Sequence, residues 1–476
     1  MKKIFLITLV ILSFLPILAP STQAQGSYSL WRRFTTKDGL ADSDVQAIFA
    51  DRKGNLWFGT ANGLSRYDGS TWWKFTTEGL NRYDDGSWRT FQTEEALVDD
   101  NVQAIAQDAD GNLWVGTFGG VSAFDRDRLI ASYTFESTSR QGDQVTSVTT
   151  GAVAGGDEVP VKFADQTEAD VALSSGYVMF GADLTFYRYK GYHTPAGSLV
   201  IEPALKEDIS AGTLVYAVEV GLANNDVKAI AIDGKGGVWF GTEGGVSCLA
   251  PDGTWVTYTT WNSPLVENDV RAISKDGKGN LWFGTDGGGV SRLASDGSWE
   301  TYTAEDGLGG DYVLAILRDR DDSLWFATTT FSEAHEYIGK GVSRRTADGT
   351  WRTYTTQDGG LADDWVQALW QDQEGHLWFG TREGVSRLAP DDSWVTYSTQ
   401  NSLLPHNRIQ AIAEDAEGNL WFGTRRGAVR FNDRAWRTMP VGPDGLASSY
   451  IQALLRDRQG NLWFGTEGGG VSCLAP

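Results

Sequence analysis

Histidine, cysteine and clustered carboxylates supply most protein chemistry, and this chain has few of the first two. Its 476 residues hold four His and two Cys. His193, His335, His376 and His406 stand singly, without a second His at metal-ligand spacing. No Gly-x-Ser-x-Gly elbow and no phosphate-cradling loop occurs, and the glycine clusters read as hairpin turns with no helix behind them. Turns such as "DADG" at Asp108 faintly resemble calcium loops but offer too few carboxylates. The sequence therefore predicts no catalytic set, no metal and no cofactor. What remains is recognition chemistry. Tyr312, Trp365, Arg408 and Tyr450 each stand immediately before a short apolar run, where earlier copies of that run are preceded by Asp44, Asn101, Asp226 and Asp269. Arg382, Arg425 and Arg426 follow "WFGT" phrases, and His335 and His406 lie in nearby loops. Rings stack on the apolar faces of sugars, and guanidinium groups fork onto carboxylates or hydroxyls. These nine residues are the expected ligand site.

The elements that must position them are written as a repeat. "DRKGNLWFGTANG" at Asp51 returns with small changes at Asp108, Asp233, Asp276, Asp319, Asp372, Asp415 and Asp457. Its tryptophans are 57, 114, 239, 282, 325, 378, 421 and 463, with several intervals of 43. That period suits a solenoid or a propeller. Within one unit, "VRAISKD", "NLWFGT", "VSRLAS" and "WETYTA" read as four strands joined by tight turns, with no helical periodicity. Four antiparallel strands per unit make a propeller blade. In the turn, the Asp carboxylate accepts backbone N–H bonds and Gly54 supplies a positive φ. The Trp is expected to plug the space between sheets, and the Gly of "WFGT" to admit a neighbour closely.

Eight first strands predict an all-β, eight-bladed β-propeller over residues 27–476, with seven blades as the alternative. The chain opens on a fourth strand, "LWRRFTT" from Leu30, and ends on a third, so the N-terminal strand is expected to close the last blade. Three irregularities interrupt the array. The phrases around Trp72 and Trp88 look like one outer strand written twice, one copy of which should bulge out. Residues 129–220 lack the signature and read as a small β-rich insertion domain within blade two. Thr328 to Ser343 forms a longer loop in blade five.

Residues 1–24 read as a signal peptide: Lys2 and Lys3, an apolar run broken by Pro16, and small residues before a cut after Ala24. An uncleaved anchor is the alternative. With no later apolar span, the mature chain is expected in the periplasm or secreted. The net charge of −22 repels phosphate backbones and argues against nucleic acid. Cys248 and Cys473 occupy equivalent places in separate repeats and read as structural thiols.

The succession D-x-x-G-N-L-W-F-G-T, G-G-V-S-R-L and W-x-T-Y-T-x-x-D-G-L resembles the two-component regulator propeller repeat over most of residues 30 to 476, the insertion excepted. The resemblance implies an extracytoplasmic sensory propeller, of a kind often joined to membrane histidine kinases and in some cases recognising polysaccharide breakdown products. It implies binding, not kinase activity, in these residues. The expected partner is a small-molecule or oligosaccharide ligand, or a protein such as a membrane sensor kinase. Two rival readings accompany it: a protein-interaction scaffold using the insertion, and a propeller lyase.

Overall fold

Each repeat becomes one antiparallel sheet, with strands A to D counted from the axis outward. The structure is a computed structural model. It describes residues 31–476 except 78, 85–86, 93–96, 126–127, 261, 333–335, 434 and 443, and among 135–220 it describes only the strands. The expected signal peptide and His335 lie outside the described residues.

Strands A are Val45–Ala50, Val102–Gln107, Val227–Ile232, Val270–Lys275, Tyr312–Arg318, Val366–Gln371, Ile409–Glu414 and Ile451–Arg456. Each lies against the next, and the eighth lies against the first, so eight blades close a ring. The seven-bladed alternative is excluded. The last blade takes its outer strand from the other end of the chain, with Trp31 opposite Leu474 and Phe34 opposite Val471. No helix among the described residues is long and apolar enough to cross a membrane.

The repeated residues explain the ring. Trp and Phe of "LWF" project to opposite faces of strand B, so each sheet gives a Trp to the following blade and a Phe, or Val115 in blade two, to the preceding one. Trp282 meets Phe326 at 5.9 Å, Trp325 meets Phe379 at 5.4 Å, and across the closure Trp463 meets Phe58 at 5.6 Å. The Gly of "WFGT" faces the first apolar residue of the next strand A. A Cβ on Gly284 would sit 2.6 Å from Val313 Cγ1, and one on Gly465 would sit 2.9 Å from Val45 Cγ1. The turn Asp does more than cap backbone. Asp276 accepts from the Lys278 and Asn280 amides, from the Asn280 side chain, and from Trp282 Nε1 at 3.0 Å. The Asp–Trp bond recurs in all eight blades, from 2.7 Å at Trp378 to 3.1 Å at Trp57. Asp322 replaces the turn glycine in blade five at φ 63°.

The three irregularities differ from expectation. The duplicated outer strand does not bulge. Gly79–Asp84 and Ser87–Gln92 add to Trp72–Thr76 as fifth and sixth strands of blade one, because both copies keep strand alternation and one more hairpin pairs both. In blade two, Arg128–Tyr133 pairs with Gly120–Asp125 as strand D. Leu129 to Tyr133 thus belong to the ring, and the insertion lies in the connection to blade three. That strand lacks the Trp of its counterparts, which hid it from the pattern. The insertion holds one six-stranded antiparallel sheet, including strands 144–147 and 198–202 that the sequence did not suggest. The long segment of blade five is a hairpin, Leu324–Phe331 against Tyr337–Arg345, with Phe331 opposite Tyr337.

Candidate ligand site at the axial mouth

A bulge repeated eight times builds this face. In every strand A the register shifts after the first apolar residue, as between Val45 and Ala47 and between Ile451 and Ala453. The extra residue is Gln46, Gln103, Lys228, Arg271, Leu314, Gln367, Gln410 or Gln452. A bulge re-aims its side chain out of the pleat. Seven of these eight are polar, inside strands otherwise packed on both faces. That polar residue in "VQAI" was the available sequence signal, and alternation alone did not reveal it.

Two further positions join the bulge residue on each blade. The residue before strand A and the one after the "WFGT" Thr are held side by side. The Asp286 amide donates to the Asp269 carbonyl at 2.8 Å, and the Glu467 amide to the Tyr450 carbonyl at 3.0 Å. Neighbouring blades are then linked around the axis. Lys228 Nζ lies 2.6 Å from Asp269, Arg408 Nε donates to Gln367 Oε1 at 3.0 Å, and Gln410 Nε2 donates to the Tyr450 hydroxyl at 3.1 Å. Across the closure, Gln452 lies near enough to Asp44 to favour its ionised form.

Most of the expected site residues meet here. Arg382 lies flat over Trp365, its Cζ 3.2 Å from the ring centre, and Arg425 stands 5.4 Å from the Tyr450 ring. Trp365 is 6% exposed, and its indole N–H has no acceptor among the described residues. The blade-five hairpin adds an aromatic patch: Tyr312 to Tyr337 at 5.3 Å, Tyr337 to Phe331 at 4.9 Å, and Tyr337 to Trp365 at 6.3 Å. Phe331 was not anticipated. Arg425 and Arg426 are exposed. His406 has a turn role: its Nδ1 accepts from the Arg408 amide at 2.9 Å, as Asp363 does for Trp365. Burial, then Arg426 and Arg425, push its pKa down, which favours the neutral ring. His376 is half-buried, with Nδ1 2.9 Å from Asp372, in the place of the turn Asn. With Glu374 these two form a group of possible metal ligands on the turn side of blade six. Asp372 is already engaged by Trp378 and by the His376 amide.

The mouth is electrically two-sided. On one side burial, and then repulsion from Arg425 and Arg382, lowers the pKa of Arg408; burial also lowers that of Arg382, with Asp363 opposing. On the other, burial pushes Asp226 up to about 6, Lys228 opposes this, and Glu243 and Asp269 add to it. Cys248 and Cys473 take no part: both are buried free thiols, pushed up to about 12 by burial.

A family model described as two-component regulator propeller matches residues 39–62, 96–119, 221–244, 264–287, 307–330, 403–426 and 445–468. Seven stretches of the chain are two-component regulator propeller repeats. Each match spans the connection into a blade and its strands A and B; blade six is unmatched but has the same sheet. A Formosa agariphila protein named histidine kinase P4 is 41% identical over 71 residues, 15% of this chain and 5% of that protein. An extracellular domain of a B. thetaiotaomicron protein described as a hybrid two-component system aligns at 18% identity, over 94% of this chain and 83% of its own, with a TM-score of 0.38. Virginiamycin B lyase from Staphylococcus aureus aligns at 16% identity, over 79% and 94% respectively, with a TM-score of 0.45.

Proposed function

We propose that this propeller is a non-catalytic, extracytoplasmic recognition module whose mouth binds a carbohydrate carrying acid groups. One observation carries the reading: half-buried arginines and an aromatic shelf share one rim, and Arg408 is surrounded by other arginines rather than by carboxylates. A guanidinium held in that state gains most from an anionic ligand, while Tyr312, Tyr337 and Tyr450 offer faces for stacking. His376 and His406 are committed to turns, which leaves neither as a ready general acid. Export follows the leader-like residues 1–24, and a kinase partner follows the repeat family. Calorimetry against neutral and uronic-acid oligosaccharides tests the site. Uronic-acid oligomers should bind the wild type, and Arg408→Gln and Trp365→Ala should each weaken them about tenfold or more. Binding indifferent to both changes would sink the proposal.

A second reading, a protein partner on this face, is favoured by where large apolar side chains are exposed. Phe118, Leu403 and Val441 are on connections at the mouth side and Phe331 and Ile338 on the blade-five hairpin; Ile130, on the outer strand of blade two, is the exception among the described residues. If that reading holds, Leu403→Ser with Val441→Ser should abolish cross-linking to a co-expressed sensor kinase and spare saccharide binding.

A further inference from the structure

The seam where the ring closes leaves acid groups without a matching cation. Elsewhere on the acid side the carboxylates have counterions: Lys228 bonds Asp269, and Arg271 pairs with Asp286. At the seam, the charged groups acting on half-buried Asp44 are Glu467 and Asp42, both anionic. Its Oδ1 has no donor among the described residues. Gln452 favours the ionised form of this carboxylate, is only 8% exposed, and its own Oε1 has no donor among the described residues. Two buried acceptors side by side, with Glu467 exposed above them, call for a donor that is also positive.

The complementary imbalance lies on blade seven, one blade from Glu467 and two from Asp44. Among the described residues Arg408 and Arg425 have no carboxylate partner, and Tyr450 stands between the two groups, tied to blade seven through Gln410 and flanked by Arg425. The Glu467 amide bonds the Tyr450 carbonyl, so the tyrosine and the acid share one rim. The ring holds opposite charges one and two blades apart, where they cannot neutralise each other by direct contact. A ligand that bridges them satisfies both.

We infer that the mouth takes a dipolar ligand: an ammonium group at Asp44, Gln452 and Glu467, an acid group at Arg408 and Arg425, and an apolar ring face on Tyr450 between them. This rests on the recognition reading above and narrows its ligand class to acidic sugars that also carry a free amine.

The test uses a disaccharide of glucuronic acid and glucosamine, with its amine free or N-acetylated, titrated into the full chain by calorimetry. The free-amine form should bind about tenfold tighter. Asp44→Asn should bring the two forms level without weakening the acetylated one. Glu467→Gln, at an exposed position where misfolding is not a concern, should move the ratio the same way. Arg408→Gln should weaken both forms and keep their ratio. Equal binding of the two forms by the wild type, or a ratio untouched by Asp44→Asn and Glu467→Gln, overturns the inference and leaves the acidic-sugar reading standing. Binding of neither form overturns both. Calcium that displaces the free-amine form and binds alone would assign the carboxylates to a metal, and also overturns it.

Discussion

Asp276 shows what a single residue contributes to a blade. Burial works against its ionisation, but bonds from Trp282, Asn280 and the backbone outweigh burial and hold the carboxyl below its ordinary range. Asp276→Ala leaves a buried indole N–H and two amides without an acceptor, and should cost about 2–4 kcal/mol in denaturant unfolding. The sign of its pH dependence follows from the direction of the shift. A depressed folded pKa contributes stability above the unfolded value of 3.8, and that contribution is lost as pH falls through the folded value. The variant and the wild type should therefore converge in acid. The thiols predict the opposite of reactivity. Cys248 and Cys473 sit where most repeats place Arg, yet pack as small apolar groups in the interblade core. Alkylation at mild alkaline pH should leave both unmodified in the folded chain and label both in urea.

At the scale of elements, the seam is the part of the ring with least covalent support. Phe34, on the N-terminal strand, meets Tyr67 at 5.4 Å, Trp72 at 5.3 Å and Trp463 at 5.8 Å, and so joins blades eight and one. Phe34→Ala should lower unfolding free energy by about 2–4 kcal/mol. Removing residues 31–34 should lower the melting temperature further, because the edge of Gly470–Leu474 is then left open. A smaller effect from the truncation than from the point change would mean that the strand does not close the ring. The blades were legible because Trp57 and its copies meet the turn Asp eight times and Gly59 and its copies meet the next strand A seven times, and repetition makes such a demand visible in one chain. The mouth was half legible. Trp365, Arg408 and Tyr450 stand out because they replace a small acid or amide at a fixed place. Gln452 and Phe331 do not: the first is set by a bulge that alternation cannot show, and the second by a hairpin read as loop. The extended sheet of blade one was misread because a duplicated strand looks the same whether it pairs or bulges.

At the scale of the whole molecule, two sets of carboxylates pull stability in opposite directions as pH changes. Buried Glu414 is pushed up to about 7 by burial, with Asp372 and Glu374 adding to this while the Gln373 amide and Arg456 oppose it. Asp226 stands at about 6 for the reasons given. A raised folded pKa contributes stability that is complete below the unfolded value and is lost as pH rises through the folded one. For Glu414 that window runs from 4.5 to about 7, and for Asp226 from 3.8 to about 6. Carboxylates held low by hydrogen bonds, Asp276 and Asp68 among them, act in reverse and lose their contribution only in stronger acid. The net charge of −22 adds self-repulsion that grows as the last carboxyls ionise. The melting temperature should therefore peak on the acid side of neutrality and decline toward alkaline pH. Glu414→Gln keeps the shape and the acceptor for Gln373 but cannot ionise. It should recover about 1–3 kcal/mol at alkaline pH, gain little in mild acid, and flatten the decline between them. A decline of the same slope in the variant would place the pH dependence elsewhere, with Asp226→Asn as the next position to measure.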